Sequence, residues 1–250
     1  MKFSSYLRNR EISIDFSYPI DISIPLSFDE SKIRAWGIPF PIKEPVSIGN
    51  WVGNVKKGGP VNFNNIWFNP HAHVTHTECF GHISEKEQSI NDVQKNFFFF
   101  SKLVTINPEK KGNDTIITKS LLLSEVDDSF DLDTLIIRTL PNEINKKCID
   151  YSNQNPPYLT EECLMYIKQK GIKNLLIDLP SIDKEKDGGA VRNHKLFFDD
   201  LKGGNKNTIT ELIYVPNQVR DGEYLLNLQL MSVENDAAPS RPVLFKIYYK

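Results

Sequence analysis

Four of the five histidines in this 250-residue chain, His71, His73, His76 and His82, fall within the twelve residues from 71 to 82. Any fold the sequence adopts must bring that segment, NPHAHVTHTECFGH from Asn69 to His82, to a place where imidazoles can act. Histidine is the commonest side-chain metal ligand and titrates nearest to neutral pH. The cluster is internal and irregular, so it is no affinity tag; it marks a metal site or a catalytic site. In an extended segment, residues two apart project to one face, so His76 and Glu78 can converge on one ion. The bulk of Thr77 and Cys79 around Glu78 favours an extended or tight-turn backbone over helix. An upstream histidine, His71 or His73, completes a set of two histidines and one carboxylate. That set is used for catalytic zinc and also suits manganese or iron. Three protein ligands leave coordination positions for water and substrate. Cys79 reads as a small buried hydrophobe with an inert thiol.

The balance of 30 Lys+Arg against 32 Asp+Glu leaves a net charge of −2, which gives no grip on a polyanion and disfavours nucleic acid as the main partner. With 40% hydrophobic and 11% aromatic residues, the chain has the means to build a core and is not a disordered one. No run of about 18 apolar residues is available to span a bilayer, and MKFSSYLRNREISIDF lacks the apolar region of a secretory signal. Three cysteines, Cys79, Cys148 and Cys163, are poor material for a disulfide framework. The expectation is one reduced, cytoplasmic domain over residues 1–250, with a small-molecule substrate and neither nucleic acid nor membrane as partner.

Along the chain, YPIDISIPLSF and VNFNNIWF read as early strands, and Phe97–Phe100 with SKLVTI as a buried strand. TIITKSLLLSEV suggests a short helix and Thr134–Leu140 a buried strand. Leu159–Lys170 is the clearest helix: Thr160 caps it, Glu161 and Glu162 suit its first turn, and Gly171 stands where the chain leaves it. NLLIDLP follows as a strand, giving the strand–helix–strand order of an α/β protein. The loop DKEKDGGAVRN delivers His194, ITELIYV is a strand carrying Glu211, and YLLNLQLMSV and RPVLFKIYY are closing strands. The fold class is α/β, a mixed β-sheet core with flanking helices.

Residues 69–82 resemble the metal motif of the metal-dependent cyclase-like hydrolases, a group that includes bacterial kynurenine formamidase and isatin hydrolase. That motif has the form H-x-G-T-H-x-D-x-P-x-H. Thr75-His76 matches its T-H, Glu78 takes the place of the aspartate, and His82 sits at the final histidine. A subgroup pattern, H-x-N-G-T-H-T-E-C-x-G-H, matches further at His71, Thr77, Cys79 and Gly81. The chain departs from it at His73 and Val74, where asparagine and glycine are expected. Valine does not replace glycine where the backbone needs a positive φ, so the loop geometry and the choice between His71 and His73 turn on that pair. PIDISIPLSF, the segment LLIDLPSIDKEKDGGAVRNHKLFF holding His194, ITELIYVPNQVRDGEYLLNLQL holding Glu211, and ENDAAPSRPVLF extend the resemblance over most of the chain.

The resemblance implies a swivelling β/β/α cyclase-like domain with one or two divalent ions, zinc foremost and manganese as the alternative. His71, His76 and Glu78 would bind one ion, and Glu78 would also reach a second held by His194 and Glu211. His82 and Glu78 would be the catalytic groups. The implied reaction is hydrolysis of a C–N bond in a formamide such as N-formylkynurenine, or in a cyclic imide or lactam, by a homodimer or larger homo-oligomer. The alternative is a non-catalytic relative that binds a metal or small molecule. Asp178 and Asp183 flank Ser181 before His194 and are candidates to orient ligands. Trp36, Phe40, Trp67 and Phe68 are candidates for an aryl pocket, although aromatics at such spacing are more often core.

Overall fold

The computed structural model describes residues 1–30, 32–126, 132–199 and 206–250. Among the described residues ten strands make one sheet. Nine lie along its path: β1 (Lys2–Leu7), β2 (Arg10–Asp15), β3 (His76–Glu78), β4 (Phe98–Ile106), β5 (Thr134–Thr139), β6 (Asn174–Ile177), β7 (Thr208–Glu211), β8 (Gly222–Leu230) and β9 (Ala237–Tyr249); the two-residue strand Ile20–Asp21 pairs with β9 from outside that path. Their order is β1-β2-β9-β8-β4-β5-β6-β7-β3. Because β3 pairs with β9 as well as with β7, the strands β3 to β9 close into a barrel-like ring. β4, β5, β6 and β7 run parallel; the remaining pairings named here are antiparallel. The fold is therefore a mixed α/β one, as the sequence predicts.

The two faces of the central strands follow the period of two that a pleated strand imposes. Leu135, Ile137, Leu175 and Ile177 point to one side, where they pack with Leu122, Leu164, Ile167 and Phe197 of the helices. Ile136 and Leu176 point to the other, into the ring, against Leu103, Leu226 and Leu244. Both faces being covered, β5 and β6 are buried along their whole length, which is why they read as apolar runs without alternation. The helices are α1 (Pro70–His73), α2 (Ile90–Val93), α3 (Lys119–Glu125), α4 (Glu161–Gln169) and α5 (Arg192–Phe198).

Several sequence expectations change in detail. Thr115–Ile117, read as the start of a helix, belongs to a short strand (Asp114–Ile117), and α3 begins only at Lys119; the β-branched Thr-Ile-Ile run took the extended form. In YPIDISIPLSF only Ile20–Asp21 joins the sheet, between Pro19 and Pro25, which cannot donate to a ladder. Phe97 and Phe98 are exposed, and burial of β4 becomes regular only beyond them. His194 lies in α5 rather than in the preceding loop. Residues 42–67 form an outlying arm in which Ile42–Pro45 pairs with Asn64–Trp67 and Ser47–Ile48 with Trp51–Val52.

α4 forms as its termini dictate. The Thr160 hydroxyl accepts from the Cys163 N–H at 3.3 Å, Glu161 and Glu162 occupy the positive first turn, and Gly171 takes φ +78° just beyond the end. Replacing Thr160 by alanine removes that cap and should cost about 1 kcal/mol. For a chain of this size the thermal midpoint should fall by roughly 2–4 °C, as read by circular dichroism. An unchanged midpoint would contradict the capping role.

Candidate metal centre

His76 and Glu78 lie two apart on β3 and share a face, as alternation requires, and both are wholly buried. Thr77 between them turns the other way, its hydroxyl 2.8 Å from that of Thr210. His76 Nδ1 lies 3.1 Å from the Val74 carbonyl. That contact holds the proton on Nδ1 and leaves the Nε2 lone pair facing the two carboxylates, 3.9 Å from Glu78 Oε2 and 3.6 Å from Glu211 Oε2. Glu211 ends β7 directly opposite His76 in the antiparallel register.

The upstream histidine arrives on a helical turn, not on an extended segment. Asn69 caps α1 by accepting the His71 N–H at 2.9 Å, and Pro70 fits the first helical position. This turn brings His71 to the cluster, with Nδ1 3.1 Å from Glu78 Oε2 and Nε2 3.0 Å from Asp236 Oδ2. His73 points elsewhere: it is buried, its Nδ1 accepts the Asn69 N–H at 3.0 Å, and its ring lies against Trp67. Of the two histidines that the sequence leaves open, His71 is the one the structure brings to the cluster. Val74 has φ −157°, ordinary extended backbone. No glycine is needed there, and the His73-Val74 departure leaves the loop intact.

Two further histidines close the cluster. His194, on the first turn of α5, has Nε2 3.0 Å from Glu78 Oε1 and 3.8 Å from Glu211 Oε1. Its Nδ1 is held at 2.7 Å by Asp183 Oδ2, so Asp183 orients the ring as its position suggested. Asp178 does not: it pairs with Lys146 at 2.8 Å and binds Thr139. His82 Nδ1 is 3.0 Å from Asp236 Oδ2, its Nε2 3.9 Å from Glu78 Oε2, and its ring stacks on His71 at 4.2 Å. Cys79 faces away into an apolar pocket with Ile90 and Ala238, and burial pushes its thiol up to about 11. Trp36 reaches the rim through its indole N–H, 3.2 Å from the His71 carbonyl. Phe40 instead lies under the Arg34 guanidinium.

Asp236 is the residue the sequence does not announce. It joins His71 to His82 from the turn before β9, and it sits in the ENDAAPSRP stretch, where nothing local sets it apart from Glu234. Its only signal is that stretch as a whole.

The donor set fits a divalent cation. Neither oxygen of Glu78 accepts a hydrogen bond, and neither does His76 Nε2 have a partner, although all three atoms are buried. The nitrogens of His71 and His194 stand 3.1 and 3.0 Å from the carboxylate, converging on it as ligands around a shared cation do. A buried carboxylate without such a counter-charge is strongly disfavoured. Among the described residues, three overlapping groups each have donor atoms within 4.8 Å of one another: His71, His76 and Glu78; Glu78, His82 and His194; and His71, His82 and Asp236.

The electrostatics say the same. Burial opposes a charge on His71, yet Asp236 and Glu78 raise it to about 10. Burial likewise opposes a charge on His194, and the carboxylates of Glu78, Asp183 and Glu211 override it, holding the group well above its ordinary value. Burial would raise Glu78, but His194, His71 and His82 hold it well below the carboxylate range. Asp236 and Asp183 are held low too, against their burial, by the imidazoles they contact. In the metal-free protein, protons on His71 and His194 supply the counter-charge.

Residues 14–184 match the family described as putative cyclase, and the chain belongs to that family. The kynurenine formamidase of Bacillus cytotoxicus is 24% identical over 227 residues, covering 90% of this chain and 96% of that protein. Among solved structures, a novel cyclase superposes with a TM-score of 0.67 at 15% identity, over 93% of this chain and 90% of the other. Isatin hydrolase A from Labrenzia aggregata does so at 0.62 and 15%, over 91% and 93%. A predicted metal-dependent hydrolase from Bacillus stearothermophilus does so at 0.61 and 19%, over 91% and 98%. These likenesses show a shared fold, and the resemblance read from residues 69–82 holds for the chain at large.

The carboxylates hold His71 up to about 10 and His194 above its ordinary value, so a cation binding there would have to displace their protons. The sign follows: raising the pH removes the competing proton, so affinity for zinc should tighten from about pH 6 to about pH 9, with protons released on binding. Calorimetric titration of metal-free protein in two buffers of different ionisation enthalpy measures that release. Affinity independent of pH would contradict the assignment.

Proposed function

We propose that this chain is a metal-dependent hydrolase that cleaves a C–N bond of a small amide, either a formamide such as N-formylkynurenine or a cyclic imide or lactam. The observation that carries the reading is Glu78, a wholly buried carboxylate set among His71, His76 and His194 with no hydrogen bond of its own. The name of the Bacillus cytotoxicus relative supports the substrate class. His71, His76 and Glu78 would hold one ion, zinc or manganese, and Glu78 would also reach a second with His194 and Glu211. An ion so held polarises a carbonyl and brings the pKa of water from about 15.7 toward about 7.

The chain's own part is proton handling. His82 is the most exposed imidazole of the cluster, at 33% of its side-chain surface against 18% for His71, so a substrate can reach it. Asp236 fixes its Nδ1 and turns Nε2 toward Glu78. From there Nε2 can take a proton from the attacking water and give it to the departing nitrogen, which leaves poorly as an anion. That orientation disfavours the alternative of a non-catalytic binding relative, in which His82 would have no reason to face the cluster.

We also propose that the chain works as a homodimer. A compact monomer of 28.7 kDa exposes about 11,300 Å², whereas this chain exposes 13578 Å². The surplus, roughly 2,300 Å², matches one side of a large obligate interface. The arm at residues 42–67 carries apolar side chains to cover, with Ile48 69% and Phe63 56% exposed.

Protein purified without chelator should carry one or two zinc or manganese ions per chain, lost in both His76→Ala and Glu78→Ala, as counted by mass spectrometry of the metal. His82→Ala should keep the metal and lose about 10²–10⁴-fold in kcat on the formamide or imide that the wild type hydrolyses. A wild type that takes up none of these ions sinks the hydrolase reading. Light scattering should give twice the chain mass, and a monomeric mass would remove the dimer.

A further inference from the structure

Leu212 follows Glu211 directly and has φ +55°, a left-handed conformation that a leucine rarely adopts. Its side chain is fully buried with Ile24, Ile33 and Tyr214, so the conformation is held by its surroundings. The kink ends the regular ladder of β7. Glu211 still pairs opposite His76, but the Leu212 N–H turns to the Leu179 carbonyl at 3.0 Å and the Ile213 N–H to that of Ile177. An irregularity of this kind, beside a site, re-aims the neighbouring side chain. Here the neighbour is Glu211, whose carboxylate faces His76 and His194 and accepts the Ile182 N–H at 3.2 Å.

One buried hydroxyl secures that kink. Thr75 Oγ1 donates to the Leu212 carbonyl and accepts the Ile24 N–H at 2.7 Å. The Thr75 backbone adds bonds from its N–H to the Ile24 carbonyl at 3.1 Å and from the Ser240 N–H to its own carbonyl at 2.9 Å. Thr75 is itself wholly buried and precedes His76. A single residue thus ties three distant segments, at positions 24, 212 and 240, to the start of the strand that carries His76 and Glu78.

We infer that Thr75 is a positioning residue for Glu211: its hydroxyl holds the left-handed Leu212 and so sets the Glu211 carboxylate against His76 and His194. The inference rests on the reading of Glu211 as a metal ligand proposed above. Thr77 provides the control, since it lies two residues on, within β3, is equally buried, and its hydroxyl bonds to Thr210 rather than to Leu212.

The test is titration of Co²⁺ into metal-free protein, followed by visible absorption and by metal counted per chain, with Glu211→Ala as the benchmark. Thr75→Ser should bind as the wild type does. Thr75→Val should weaken the same ion that Glu211→Ala weakens, by about 10- to 100-fold in Kd, the range seen when a group orienting a ligand is removed. Thr77→Val should bind as the wild type does although it too loses a buried hydrogen bond. If Thr75→Val does not fold, Thr75→Ala, which is smaller, carries the same expectation. The inference is overturned if the Thr75 variant binds Co²⁺ like the wild type, or if Thr75→Val and Thr77→Val lose it equally. A wild type that binds no Co²⁺ overturns the metal-site reading itself, and this inference with it.

Discussion

A carboxylate cannot be buried without something to balance its charge, and the arrangement around Glu78 is the answer this chain gives. Its oxygens lie within 4 Å of four imidazoles, from α1, β3, α5 and the turn at Phe80–Ile83. Those imidazoles are in turn fixed from behind by Asp236, Asp183 and the Val74 carbonyl. Three tiers therefore answer to one charge. Remove the carboxylate and the histidines lose the partner that keeps two of them charged; remove the outer acids and the rings lose their orientation.

The sheet serves the same end. β3 is only three residues long, too short to persist unaided. It survives because β7 holds it on one side and β9 on the other. The thirteen-residue β9 pairs with β3 at one end, with β8 along its middle and with β2 at the other end. The ring closure that makes the barrel is thus the same set of hydrogen bonds that presents His76 and Glu78.

What the sequence reveals of this depends on range. The pairing of His76 with Glu78 follows from a local period of two, and the limits of α4 from a cap, an acidic first turn and a glycine; both are written within a dozen residues. The preference for His71 over His73 depends on α1, a single turn whose capping asparagine sits in the sequence but whose outcome needs the position of Glu78. Asp236 lies more than 150 residues from the histidines it joins, and no spacing rule links them. The left-handed Leu212 is equally silent, because leucine carries no propensity for that backbone. Short-range physics puts His76 and Glu78 on one face; only the fold shows that Asp236 joins His71 to His82.

Closure of the ring by β9 also sets an order of events as the chain folds. β3 is sealed only when Ala237–Pro239, about 160 residues further along, docks beside it. Contacts of such separation form late. Asp236 immediately precedes that segment, so its bonds to His71 and His82 belong to the same late step. The acid that orders the two stacked imidazoles is thus delivered by ring closure, and the cluster is complete only in the closed barrel.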